Sequence, residues 1–137
     1  MKFEKYIKIN KVVIRTPNIL TSKGLIKQSI EDFNYIKSSQ INENNCSFLF
    51  KSIYDCLRSI MESKLIKEGY KTYSHEASIQ FLLENNIIKT ETFNKINNYR
   101  TIRHDIVYRG KKTNSEKTKE IKKIFIKLLK KIQNENI

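Results

Sequence analysis

A chain of 137 residues is long enough for one domain with a sizeable core. Its hydrophobic share of 39% exceeds what disorder requires, Met1 to Asn10 lacks the apolar run of a signal peptide, and no stretch approaches a membrane span of roughly eighteen apolar residues. A soluble, cytoplasmic, single-domain protein over 1–137 is therefore expected, and its formal charge of +13, from 27 Lys and Arg against 14 acidic residues, attracts polyanions, nucleic acid first among them.

Lysine is also what AT-rich coding supplies, so part of this charge is solvated surface. Arginine is different, because such coding does not favour most of its codons. Arg100, Arg103 and Arg109 crowd into a short segment, with Arg58 the next nearest. Cys46 and Cys56 stand on different faces of one predicted helix, without CxxC spacing or a Cys/His cluster, so neither a metal site nor a disulfide is expected.

In chain order, residues 1–20 read as a short extended N-terminal arm. The β-branched run Val12 to Ile14 followed by Pro17 favours a strand-like strap over a helix. From Ser22, taken as an N-cap, Leu25, Ile26, Ile30, Phe33 and Ile36 recur at helical spacing to about Gln40. A longer helix follows from about Asn45 with the stripe Phe48, Leu49, Ile53, Cys56, Leu57, Ile60 and Leu65, and Gly69 closes it. Ser74 caps a short helix that turns Ile79, Leu82 and Leu83 inward. A fourth helix runs from about Glu91 to Tyr108 and ends at Gly110. Ser115 is placed to cap the last helix, about Glu116 to Gln133, whose Ile121, Ile124, Phe125, Leu128, Leu129 and Ile132 share one face. Few breakers and short connections predict an all-α fold, a four- to five-helix up-and-down bundle over 21–137 behind the arm.

Chemistry concentrates in NNYRTIRHDIVYRGKK, residues 97–112. At about 100° per residue, Phe93, Ile96, Tyr99, Ile102, Ile106 and Val107 form a broad apolar face. Arg103 projects from within that face, while Arg100, His104 and Tyr108 line one edge of it. A guanidinium among apolar neighbours is costly unless it is paired or faces a cleft or a partner subunit. Pairing with Asp55 or Glu62 of the long helix is one expectation, and exposure to a cleft the other. His104 and Asp105 point apart on a helix and make no direct catalytic pair. Arg109, Lys111 and Lys112 extend the charge past the helix end, where they can grip phosphates.

Metal-independent RNA cleavage needs a base near the 2′-hydroxyl, a cation at the phosphorane and an acid for the leaving oxygen. An arginine with a histidine or tyrosine on one helix supplies part of that set, and a two-fold dimer doubles it.

From about Ile19 onward the chain resembles the HEPN family, in particular its small stand-alone archaeal and bacterial members. The resemblance is carried by YDxLR at 54–58, GYK at 69–71, YSHEA at 73–77 and RxxRHDxxYxG at 100–110, in that order. It implies a helical bundle that commonly dimerises. It also implies a ribonuclease site made of an arginine, a following polar residue and a histidine further along, two copies of which meet in a cleft without a metal or other cofactor. Carried over, the arginine is Arg103, the polar residue is His104, and the histidine position falls on Tyr108, a departure from the motif. Tyrosine, with a reference pKa near 10, is a poor base but can donate a proton. His104, one turn away, is the alternative base.

The resemblance further implies the toxin of a toxin–antitoxin pair. Its partner would be of the minimal nucleotidyltransferase type, acting by binding or by modifying Tyr108. Two other readings stand beside the homodimeric ribonuclease. One is a non-catalytic module binding RNA or a nucleotide through Arg100, Arg103, Arg109 and nearby lysines. The other is a structural dimerisation protein. An enzyme opens Arg103 and His104 or Tyr108 onto one cleft, whereas a structural dimer buries Arg103 against a carboxylate with no cleft.

Overall fold

The computed structural model describes residues 1–135. In chain order it comprises α1 (Phe3–Lys8), β1 (Val12–Ile14), α2 (Ile19–Lys37), α3 (Cys46–Glu68), β2 (Tyr70–Thr72), α4 (His75–Glu84), α5 (Thr90–Arg109) and α6 (Ser115–Glu135). The fold is an all-α bundle with an N-terminal arm, and its one small sheet pairs β1 antiparallel to β2, Val12 opposite Thr72 and Ile14 opposite Tyr70. Among the described residues no helix is long and apolar enough to cross a membrane.

Helix α3 is the axis. Phe50, Ile53, Tyr54, Leu57, Ile60 and Met61 recur at three- and four-residue steps, and all are buried, so more than one face of the helix must be covered. Helix α2 covers one side, running antiparallel to α3: Asn18 N–H donates to Ile66 O, and Ser22 Oγ donates to Ser63 O at 2.8 Å. Helix α6 covers another and runs parallel to α3. Thr118 Oγ1 donates to Cys46 O at one end, and Lys64 Nζ pairs with Glu135 at the other. Ile121, Phe125, Leu128 and Ile132 all face inward from α6, each worth about 1.5–3 kcal/mol of burial, and Phe125 meets Phe33 of α2 at a centroid distance of 4.5 Å.

Four expectations need correction. The arm is not extended throughout: α1 forms because Phe3 and Tyr6, three residues apart, are both buried on one side of it. Phe3 packs edge-on against Tyr70 and Phe81, and its N–H donates to Glu84 Oε2 at 2.7 Å. The strap predicted at Val12–Ile14 is present as β1. Ser22 caps nothing; Asn18 caps α2 by accepting from Thr21 N–H, and Ser22 is the small residue that lets α2 approach Ser63. At α6, Asn114 Oδ1 rather than Ser115 accepts from Lys117 N–H. Phe48, placed on the inner stripe, is exposed, with Lys51 Nζ 5.4 Å from its ring centroid.

The ends of the long helices follow the sequence closely. Gly69 (φ +93°) terminates α3 and Gly110 (φ +62°) terminates α5, each in the left-handed region. At Gly69 a second requirement is added. A Cβ there would stand 2.7 Å from Arg15 O and 3.3 Å from the Pro17 ring, since the arm crosses directly over this position. Arg15 N–H donates to Gly69 O at 2.8 Å and completes the crossing.

Candidate functional site

Helix α5 buries only Ile96 and Tyr99 fully. Tyr99 packs edge-on against Phe50, which seats the first half of α5 on α3. The second half then runs out along the surface with Ile102 and Ile106 half-buried and Val107 exposed. Gly110 stops it, and both Gly110 N–H and Lys111 N–H donate to Asp105 O. This overhang forms one wall of a cleft. The opposite wall is the start of α4, fixed by Ser74, whose Oγ accepts from Ala77 N–H at 3.3 Å. The arm reaches the same place, held by Tyr73 N–H donating to Lys11 O at 2.8 Å.

The cleft has a volume of about 530 Å³ and gathers Arg100, Arg103, His104 and Tyr108 from α5 with Tyr54 from α3 and Lys11, Tyr73, His75 and Glu76 from the arm and α4. Its arginines are held by carboxylates: Arg103 Nη2 lies 3.3 Å from Asp55 Oδ1, and Arg100 Nη1 lies 3.7 Å from Glu76 Oε1. The Arg103 side chain is 21% exposed and that of Asp55 49%, so water reaches the pair. Such pairs contribute about 0–1 kcal/mol and are exchangeable. Glu62, the other carboxylate expected for Arg103, pairs instead with Arg58 at 3.2 Å. Both expectations for Arg103 therefore hold together: it is paired, and it lines a cleft.

Three donors of cleft-lining residues, Arg100 Nε, Arg103 Nε and Tyr54 Oη, are buried without a hydrogen-bond partner among the described residues. A buried donor left unmet costs about 1–3 kcal/mol. An oxygen-rich anion entering the cleft is the kind of ligand that recovers this. Burial pushes the Tyr54 hydroxyl up to about 12, against the lowering pull of Arg100, Arg58 and Arg103, so it stays a donor. His75 is driven the other way. Burial first, then Arg58, Arg103 and Arg100, bring it down to about 4, so its imidazole is neutral at pH 7.

His104 and Tyr108 are one turn apart on the outer edge of α5, their rings in contact at a centroid distance of 4.9 Å. Tyr108 is 69% exposed. Asp105 turns away from His104, as its spacing requires, and meets Arg109 at 3.8 Å. Arg109, the last residue of α5, and Lys111 and Lys112 just past it are exposed and do not line the cleft. Among the described residues no group of three His, Cys, Asp or Glu side chains is arranged to hold a metal ion.

Sequence reasoning missed His75, Tyr73, Tyr54 and Lys11 as companions of Arg103. Two of them lie in YSHEA and one in YDxLR, so the segments were marked, but only the packing of α4 beside α5 and the crossing of the arm bring them to one place. Comparisons with protein-family models, with curated proteins and with solved structures find no match to this chain.

Proposed function

We propose that the protein is a HEPN-type, metal-independent endoribonuclease acting as a homodimer, with the cleft on α5 as its site. The observation that carries this reading is the gathering of two arginines, two histidines and three tyrosines in one solvent-accessible cleft. Arg100 and Arg103 offer guanidinium forks to a phosphate, whose oxygens displace the Asp55 and Glu76 carboxylates and meet the buried Nε–H groups. Exposed aromatic rings at Tyr73 and Tyr108 give unstacked bases a surface on which to lie. The overhanging apolar edge of α5, with Ile102, Ile106 and Val107 incompletely covered, suits the contact between two copies. Arg109, Lys111 and Lys112, at the end of the same helix, extend the positive surface for a longer RNA.

As the toxin of a toxin–antitoxin pair, the protein presents Tyr108 to a minimal nucleotidyltransferase partner, which would silence it by binding or by modifying that exposed hydroxyl. The test is cleavage of single-stranded RNA in EDTA by wild type, Arg103→Ala, His104→Ala and Tyr108→Phe, all purified identically. Cleavage that persists in EDTA and is lost in Arg103→Ala supports the reading. RNA left intact by wild type, or cut equally by all four, rejects it. The binding module is then favoured, for which tyrosine in the histidine position is the specific observation, and its signature is salt-sensitive RNA affinity without cleavage.

A further inference from the structure

We propose that His75 is the catalytic base of this cleft, supplying from α4 the imidazole that α5 lacks at position 108; the assignment rests on the ribonuclease reading. Three features of its placement support this. His75 lines the same cleft as Arg100, Arg103 and Tyr108, on the wall opposite α5, so a phosphate held by the arginines brings its ribose within reach of both walls. It is the first residue of α4, spanned by the Ser74-to-Ala77 cap and preceded closely by β2, so its position is set by regular structure rather than by a loose loop. It is also half-buried, whereas His104 is exposed on the outer edge.

The charged and titratable groups around His75 are Arg58 and Tyr54 from α3, Arg100, Arg103, His104 and Tyr108 from α5, Lys11 from the arm, Tyr73 just before α4 and Glu76 beside it on α4. Their balance is positive, and the N-terminal end of α4 adds to it. The imidazole therefore stays in its proton-accepting form through neutral pH. A phosphate bound at Arg100 and Arg103 reverses the local sign and raises the imidazole back towards the ordinary histidine range, where it is a stronger base. Substrate binding thus prepares the base it needs.

In the reaction the neutral His75 ring takes the proton of the ribose 2′-hydroxyl. The 2′-oxygen bonds to phosphorus as the P–O5′ bond breaks, leaving a 2′,3′-cyclic phosphate on one fragment. The departing 5′-oxygen takes a proton from the Tyr108 hydroxyl and leaves as a 5′-hydroxyl. Solvent then removes the proton from His75 and returns one to Tyr108, so charge and protons balance.

The experiment compares the pH dependence of kcat and kcat/KM for wild type and His75→Gln on single-stranded RNA in EDTA, with Arg103→Ala as the purification control. Loss of about 10²–10⁴-fold in kcat with KM little changed, and disappearance of the acid limb, is the expected result. For wild type the acid limb lies near pH 4 in kcat/KM, which reports the free enzyme, and higher in kcat. His75→Gln cutting within about threefold of wild type with its acid limb intact overturns the assignment and leaves the ribonuclease standing. Wild type that leaves RNA intact overturns both. Should His75→Gln fail to fold, His75→Asn takes its place under the same two criteria.

Discussion

Gly69 and Gly110 both end helices with positive φ, yet they should respond very differently to alanine. At Gly110 the added Cβ meets nothing within 4 Å, so the cost is the left-handed backbone alone, about 1–2 kcal/mol, partly offset by a stiffer unfolded chain. At Gly69 the same backbone cost applies, and the Cβ would also stand 2.7 Å from Arg15 O. That neighbour is main chain and not a flexible side-chain tip, so the arm has to move. Moving it breaks Arg15 N–H to Gly69 O and strains Asn18 N–H to Ile66 O, each worth about 1 kcal/mol. Gly69→Ala should therefore cost about 3 kcal/mol and Gly110→Ala about 1, a gap of about 2 kcal/mol or roughly 6 °C in Tm for a chain of this size. Urea unfolding of both variants measures the gap directly. A second readout is trypsin: the arm, which carries Lys11 and Arg15, should be clipped faster in Gly69→Ala while the helices hold. Equal stability of the two variants, within about 0.5 kcal/mol, would refute the idea that the arm is pinned at this crossing.

Four further outcomes are expected. His75 is neutral when folded down to about pH 4 but protonates near 6.5 when unfolded, so its contribution is complete above pH 6.5 and is lost as pH falls from there towards 4; full linkage is about 3 kcal/mol, and partial solvation reduces it to about 1.5. Urea midpoints at pH 7 and 4.5 should thus converge more in His75→Gln than in wild type. Arg103→Ala should lower the magnitude of the slope of log affinity against log salt for single-stranded RNA by about 0.7, seen by fluorescence anisotropy, and an unchanged slope would exclude a phosphate contact there. Asp55→Asn, which removes the carboxylate competing for Arg103, should tighten RNA binding about threefold; weaker binding would make Asp55 a positioning residue instead. Phe3→Ala should cost about 3 kcal/mol by calorimetry or urea, and a loss under 1 would mean that α1 contributes little to the core.

The parts of the fold that could be read from sequence are those whose signal is local and repeated. Helix α6 turns an apolar residue inward at each step from Ile121 to Ile132, and Gly69, Ser74 and Gly110 punctuate where backbone chemistry requires. Helix α1 was not legible because six residues carry no period; Phe3 acquires meaning only against Tyr70 and Phe81, which lie far along the chain. Asn18 and Ser22 are both good caps, and what decides between them is Ser63 on the next helix, a tertiary fact. The site divides the same way. Arg100, His104 and Tyr108 share an edge because α5 is a helix, and that much follows from spacing. His75 joins them through the packing of α4 beside α5, which no spacing within one segment encodes.

The pairing of Arg103 with Asp55 bears on how the cleft should be judged. Taken alone it looks like a structural ion pair, the outcome expected of a purely structural dimer. A structural pair of that kind is dry and fully hydrogen-bonded, because a half-satisfied buried guanidinium is costly. Here Asp55 is about half exposed and Arg103 Nε has no acceptor, so the pair is wet at one end and incomplete at the other. Arg100 repeats the arrangement with Glu76, again with its Nε unmet. Two arginines held loosely by exchangeable carboxylates, each with a donor in reserve beside the same cleft, are positioned without being consumed. On the proposed ribonuclease reading, a phosphate, which carries more acceptors than either carboxylate, exchanges with them and meets the Nε–H groups they leave unpaired.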